Sequence, residues 1–335
     1  MLTGWVTNYP IDRGLDHIER RAALKSDGLG KSVPDDAFGL IRFNGTYMEF
    51  VDRTFKLKGM AVTAMCSAFI LFEVIIMAFS LHGVYSHPQI SLGEKMVLST
   101  TIAAVLGGLS AMMWMLLLRK DLFQYTHYPV RFNRITRKIY FFRHNGPGGV
   151  TVVPWGSPYA FFHIGRGAQN RELRDLRCHL LDRNQQIQQT FTIGHFWEHE
   201  DDIREPWALI CRYMQDGPEN CYDDPRDRVI TLSSDPTIRN CWLMVILMMG
   251  TAFIPFRKNV MFPVYGALTL CRWLTFKTCR KPVFPPEIEA ECQIDPEDPY
   301  RLPEPRFMAE FASDPAIYAR ALERHKERVM WRPEN

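Results

Sequence analysis

The chain has 335 residues, with 40 Lys and Arg against 37 Asp and Glu and a formal net charge of +3. That balance does not argue for a nucleic-acid partner, and no stretch interleaves basic and aromatic residues as a strand-binding groove does. Eight cysteines without a CxxC pair or a regular spacing read as reduced thiols and exclude a disulfide framework.

Residues 1–58 read as an N-terminal cytosolic segment. Its start, Met1 to Arg21, has no apolar signal core, so no cleavage is expected and the first membrane helix would serve as the insertion signal. Two uninterrupted apolar stretches follow, Gly59 to Leu81 and Met96 to Leu118. At 1.5 Å per residue each covers the roughly 30 Å of hydrocarbon in a bilayer. With only His82 to Lys95 between them, they predict a transmembrane hairpin over residues 59–118. Lys56 and Lys58 precede it and Arg119 and Lys120 follow it, while the loop holds only Lys95. The positive-inside bias therefore places both flanks, and most of the chain, in the cytosol.

Glu73 is the one charge within the two stretches. It could belong to a proton or ion path, or be a protonated or interface residue, because the second stretch offers no polar companion at an evident matching depth. Small residues recur at Ala103, Gly107 and Ala111 and at Ala61, Ala64 and Ala68, spacings that let helix backbones approach within the hairpin.

Residues 119–218 alternate and turn like short strands. Val130 to Arg134 and Lys138 to Arg143 flank a turn at Ile135 to Arg137, and the run from His144 to Gly149 supplies a second turn. Val150 to Pro154, Tyr159 to Ile164, Leu173 to Leu181 and Ile187 to Ile193 complete six strands. Glu205 to Gln215 then places Trp207, Ile210, Cys211 and Met214 on one helical face, stopped by Gly217-Pro218. The fold class expected is an α+β membrane protein: a hairpin, an antiparallel sheet domain closed by an amphipathic helix in the pleckstrin-homology-like manner, and a helical C-terminal part. Arg131, Arg134, Arg137, Lys138 and Arg143 lie on the sheet segment with Asp121 as the only nearby acid. They are read as a surface for a partner or for anionic lipid, or as a solvated strand edge.

Residues 219–280 contain a third apolar region. Cys241 to Phe256 is short for a span, Arg257 and Lys258 follow, and Val260 to Leu274 is interrupted by Pro263 and Arg272. Two crossings would leave Arg257 and Lys258 outside, so a re-entrant or surface-lying helix pair docked on the hairpin is preferred. Residues 281–335 begin with a Pro-rich, acidic stretch read as an extended tether, followed by a helix from Asp314-Pro315 to about Trp331.

His195-Phe196-Trp197-Glu198-His199 matches H-x-x-E-H, in which two histidines on one helical face hold zinc and the glutamate activates water. Its setting at the end of a strand-like run favours a loop leading into the Trp207 helix. His195, Glu198 and His199 stay as the metallopeptidase alternative. No phosphate loop or nucleophile elbow is present, and no cofactor is expected.

The ordered residues Val130-Arg131-Phe132-Asn133-Arg134, Arg137-Lys138-Ile139-Tyr140, Val153-Pro154-Trp155, Phe191-Thr192-Ile193-Gly194, Trp207, Arg212-Tyr213-Met214 and Gly217-Pro218 resemble an uncharacterised family of proteobacterial membrane proteins. The resemblance covers roughly Phe43 to Pro218. It implies a two-helix hairpin followed by this domain, in the bacterial inner membrane. It also implies association with type VI secretion toxins, as immunity or accessory proteins, and it carries over no catalytic residues. Trp155, Phe191, Trp207 and Met214 are expected to fill the core, and Asn133 and Arg134 to shape a turn. Specificity would then lie in Gly165 to Arg171 and beyond Pro282. The function expected is a non-enzymatic binding protein that occludes a toxin or its target at the bilayer. A zinc peptidase and a lipid-binding scaffold are the alternatives.

Overall fold

The computed structural model describes residues 9–25, 32–167, 170–249 and 261–331. In chain order its elements are α1 (His17–Arg21), β1 (Leu40–Phe43), β2 (Tyr47–Phe50), α2 (Thr54–Leu57), α3 (Val62–Ser86), α4 (Leu92–Leu116), β3 (Val130–Asn133), β4 (Lys138–Phe142), β5 (Val150–Pro154), β6 (Ala160–Arg166), β7 (Arg174–Leu181), β8 (Ile187–Trp197), α5 (Asp201–Asp216), α6 (Ile238–Met249), α7 (Phe262–Thr278), α8 (Pro286–Glu291) and α9 (Pro315–Trp331). Two compact units result. Residues 1–56, 127–235 and 281–335 make one, and residues 57–126 and 236–280 make the other.

The first unit is mixed α and β. Strands β1 to β5 form one antiparallel sheet in sequence order, and β6, β7 and β8 form a second. The six strands read from the sequence are present within a few residues, but β1 and β2 were not expected. They are short, and the turn between them is set by the Asn44 carboxamide oxygen, which accepts from the Thr46 and Tyr47 N–H groups at 2.9 Å each. Tyr47 to Phe50 pairs with Asn133 to Val130. The boundaries drawn at residues 58 and 119 therefore cut through one sheet, and the apolar helices are an insertion between β2 and β3.

Alternation along each strand sends one set of side chains into a shared core. Phe43, Phe50, Phe132 and Phe141 from the first sheet and Ile164, Leu176 and Ile193 from the second join Trp207, Ile210 and Met214 of α5 there. Phe191 stacks on Phe141 at 4.3 Å, and half-buried Trp155 lies 5.7 Å from Trp207. Gly217, at φ +91, ends α5 in a backbone region that favours glycine.

The alternate set on the first sheet is also buried, because residues 281–304 cover it. Phe284 lies 5.7 Å from Phe142, and Phe284, Ile288 and Cys292 are buried. The Asp298 carboxylate accepts from the Gly45 N–H at 2.5 Å, and the Leu302 N–H donates to the Phe43 carbonyl at 3.0 Å. The stretch read as a tether is thus a packed layer. Its prolines suit a chain that crosses a sheet without adding a strand to it.

α9 begins at Pro315 as expected. Arg320 pairs with Asp227 at 3.1 Å and Arg324 with Asp35 at 2.6 Å. Beside them the buried Asp36 accepts from Thr231 Oγ1 at 2.6 Å. Burial and the neighbouring Asp35 push the Asp36 carboxyl up to about 7. The folded chain therefore holds a proton that the unfolded chain releases near pH 4. Between those values the native state binds more protons, so this contribution to stability is complete below pH 4 and lost as pH rises to 7. Asp36→Asn should remove the slope, and its gain over wild type should grow to roughly 4 kcal/mol by pH 8. Melting by near-ultraviolet circular dichroism from pH 4 to 8 checks this; a difference independent of pH would refute it.

In the second unit, α3 and α4 pack on each other. Their stretches Thr54–Ser86 and Leu92–Lys120 are long and apolar enough to cross a membrane, and their most apolar windows are only 22% and 6% buried. Of the small residues expected at the start of α3, Ala61 and Ala64 are half-buried and Ala68 is exposed, whereas on α4 the facing residues are not the small ones expected. On α4 the half-buried positions are Lys95, Ser99, Ile102, Leu106, Ser110 and Met113, while Ala103, Gly107 and Ala111 are exposed. A side chain at Gly107 would meet nothing within 4 Å.

α6 and α7 also pack together, with Trp242 at 5.6 Å from Phe262. α7 docks on the start of α3: Thr275 Oγ1 donates to Thr63 Oγ1 at 3.1 Å and Arg272 Nη1 donates to the Lys58 carbonyl at 2.8 Å. Arg257, Lys258, Val260 and the end of the Cys241 to Phe256 stretch lie outside the described residues.

Candidate functional site

The H-x-x-E-H residues do not converge. β8 runs on to Trp197, so His195 is a buried strand residue, its ring stacked on Phe55 at 6.1 Å. Glu198 and His199 sit in the exposed turn beyond it, and the helix starts only at Asp201. One helical face therefore never carries both histidines.

The expected basic surface is largely absorbed into the fold. Arg131 is 0% exposed. Its Nε donates to Glu49 at 2.8 Å, its two terminal nitrogens reach Glu289 at 3.2 Å, and its guanidinium lies between the rings of Tyr47 and Phe284. Lys138 pairs with Glu291 at 2.8 Å. Arg134 Nε donates to the Gly45 carbonyl at 2.8 Å, and exposed Arg137 donates to the Met214 carbonyl. Arg143 is exposed. The acids that neutralise this face come from β2 and from α8, far away in sequence, and so were invisible to a local charge reading.

The flanking lysines differ from expectation in the same way. Lys56 is buried, with Nζ 3.4 Å from the centre of the Trp197 ring, and Lys58 lies 3.9 Å from Asp121. Arg119 and Lys120 remain exposed. Glu73 does have a polar companion, since Ser110 Oγ on α4 donates to its Oε2.

The outer face of the second sheet holds a cluster not singled out from the sequence. Residues 12–24 cross it from edge to edge. The Asp12 N–H donates to the Ile187 carbonyl on β8, and at the other edge the Ile164 N–H of β6 donates to the Ala22 carbonyl. α1 is thereby held over the sheet, and its capping box with Asp16 turns Glu19 inward. Beneath it lie His163 of β6 and His179 of β7, whose rings stack at 4.5 Å. One ligand atom from each of Glu19, His163 and His179 lies within 4.8 Å of the others, the only such three-residue grouping among the described residues.

His179 Nε2 faces Glu19 Oε1 at 3.3 Å, and its Nδ1 faces Thr190 Oγ1 at 2.7 Å. Arg13 grips Glu19 at 2.5 and 2.9 Å. Burial works against ionisation of Glu19, but Arg13 and the Asp16 N–H outweigh it and bring the carboxyl down to about 2. His163 is 1% exposed and neither ring nitrogen has a hydrogen-bond partner. Burial, then His179, pushes its imidazole down to about 4, which keeps it neutral with a free lone pair at physiological pH.

Strand parity alone, with 163 and 179 on adjacent strands facing one way, could have paired the histidines. Nothing local pointed to Glu19.

A family model matches residues 109–296, more than half of the chain. The chain belongs to DUF6708, a family of unknown function. The DUF6708 stretch begins within α4 and ends beyond α8. It takes in His163 and His179 as well as the α8 layer over the first sheet, and leaves out β1, β2 and Glu19. No curated protein and no solved structure matches the chain.

Proposed function

We propose that this DUF6708 protein is a non-enzymatic binding protein anchored in the bacterial inner membrane, with most of the chain in the cytosol. In this reading it acts as the immunity or accessory partner of a type VI secretion toxin. The observation that carries the anchoring is the uncovered surface of α3 and α4. Phe69, Phe72 and Phe79 on one helix and Val97, Val105 and Met112 on the other are exposed large apolar side chains. A helix apolar on all sides needs an apolar solvent, and lipid supplies one. Ser110 bonded to Glu73 then serves as an interhelical clasp within the hydrocarbon. Exposed Arg119 and Lys120 mark the cytosolic end.

The two sheets closed by α5 constitute a pleckstrin-homology-like body, with the hairpin inserted in it between β2 and β3. α6 and α7 complete the anchor without crossing the bilayer. The toxin association rests on the residue pattern shared with the resembled proteins. Its mechanism is occlusion: the body, confined to the bilayer surface, covers the toxin or the toxin's target. The exposed residues Arg137 and Arg143 are the part of the basic segment open to such a partner.

Two experiments test the reading: compartment reporters at Ser91 and Asn335 of the native chain, and separately the exchange of residues 59–118 for an unrelated two-span anchor. The expected results are opposite compartments for the two reporters and protection preserved after the exchange, because tethering supplies effective concentration and not contacts. A periplasmic C-terminal reporter would refute the topology. Loss of protection with normal expression would place recognition in the hairpin itself.

A further inference from the structure

We propose that Glu19, His163 and His179 form a zinc site that fastens α1 to the second sheet. Two imidazoles and one carboxylate are a donor set that zinc takes in proteins, with bonds of about 2.0–2.2 Å. Such bonds put ligand atoms about 3.4 Å apart. The three atoms here lie within 4.8 Å, so side-chain rotations of about an ångström close the site, with a further position left to water.

Two observations favour an ion over a purely structural cluster. His163 carries two ring nitrogens without partners deep in the fold, and an unsatisfied buried polar atom is destabilising unless something binds it. Thr190 holds the Nδ1 of His179, the outer hydrogen bond that orients a metal-binding imidazole and leaves Nε2 for the ion. The threonine hydroxyl can accept as readily as donate, so His179 can carry its proton on Nδ1 when Nε2 takes the metal. Arg13 stands against a dication, but its side chain is 33% exposed and can swing into solvent when zinc takes over Glu19. Arg177, the next cation, is already paired with Asp175 at 2.5 Å. This site is separate from the H-x-x-E-H residues and independent of the proposed toxin partner.

The test uses the full chain in detergent, stripped of metal and titrated with Co²⁺ and Zn²⁺. One equivalent should bind, with the visible absorption of a low-coordinate cobalt centre, and zinc should raise the melting temperature. His163→Phe keeps an aromatic ring in the stack and removes both nitrogens. It should weaken binding by roughly 100-fold or more and abolish the zinc-induced shift while melting at or above the metal-free wild type. Glu19→Gln provides a second variant should His163→Phe fail to fold. The exposed pair Glu198→Ala and His199→Ala should bind metal as wild type does. No stoichiometric binding by wild type, or equal binding by wild type and the Glu19 and His163 variants, overturns the proposal.

Discussion

Replacement of Arg131 by methionine should destabilise the sheet unit by about 3–5 kcal/mol, the range for removing one partner of a buried ion pair. Methionine keeps much of the apolar stem that lies between Tyr47 and Phe284, so the loss is chiefly electrostatic. The Glu49 carboxylate, 4% exposed against 0% for the arginine side chain, would be left charged and unpaired inside the fold. Glu289 would suffer less, because half of its side chain reaches water. Arg131→Met combined with Glu49→Leu should recover most of the loss, since removing both charges abolishes the uncompensated burial. Thermal melting and limited proteolysis of the detergent-solubilised chain measure it. If Arg131 were instead a lipid-facing residue, the single substitution would leave stability unchanged and weaken only vesicle binding.

Gly59→Ala should disrupt the second unit by about 3 kcal/mol or more, at a position that looks unremarkable in sequence. Gly59 has φ +77, and a Cβ there would stand 2.6 Å from the Arg272 Cα and 2.9 Å from Thr275 Oγ1. The first contact is with backbone, so relief requires α7 to move away from the start of α3. That movement would break the hydrogen bonds from Arg272 to the Lys58 carbonyl and from Thr275 Oγ1 to Thr63 Oγ1. Left-handed backbone strain adds to the clash. Gly107→Ala is the contrasting control. It meets open space and gains helix propensity, so it should be neutral or stabilise by about 1 kcal/mol. Protease accessibility and melting of the two variants compare the effects; equal behaviour would refute the close approach at Gly59.

Local pattern sufficed wherever one element carried its own signal. The two long apolar helices, strands β3 to β8, the buried face of α5 with its Gly217 stop, and the start of α9 were all legible, because helix and strand periodicity and turn chemistry act over a few residues. β1 and β2 escaped because each has only 4 residues; β2 gains its stability from pairing with β3 across the inserted hairpin, and β1 from pairing with β2. Likewise, parity along β3 assigns Arg131 correctly to the outer face, but whether that face meets water depends on Phe284 and α8, more than 150 residues away. The same holds for the second sheet. His163 and His179 share a face by strand parity, and only the crossing of residues 12–24 brings Glu19 over them and excludes solvent. The tertiary structure alone decided which polar faces are covered, because desolvation and ion pairing depend on what is near in space, and sequence patterning reports only what is near along the chain.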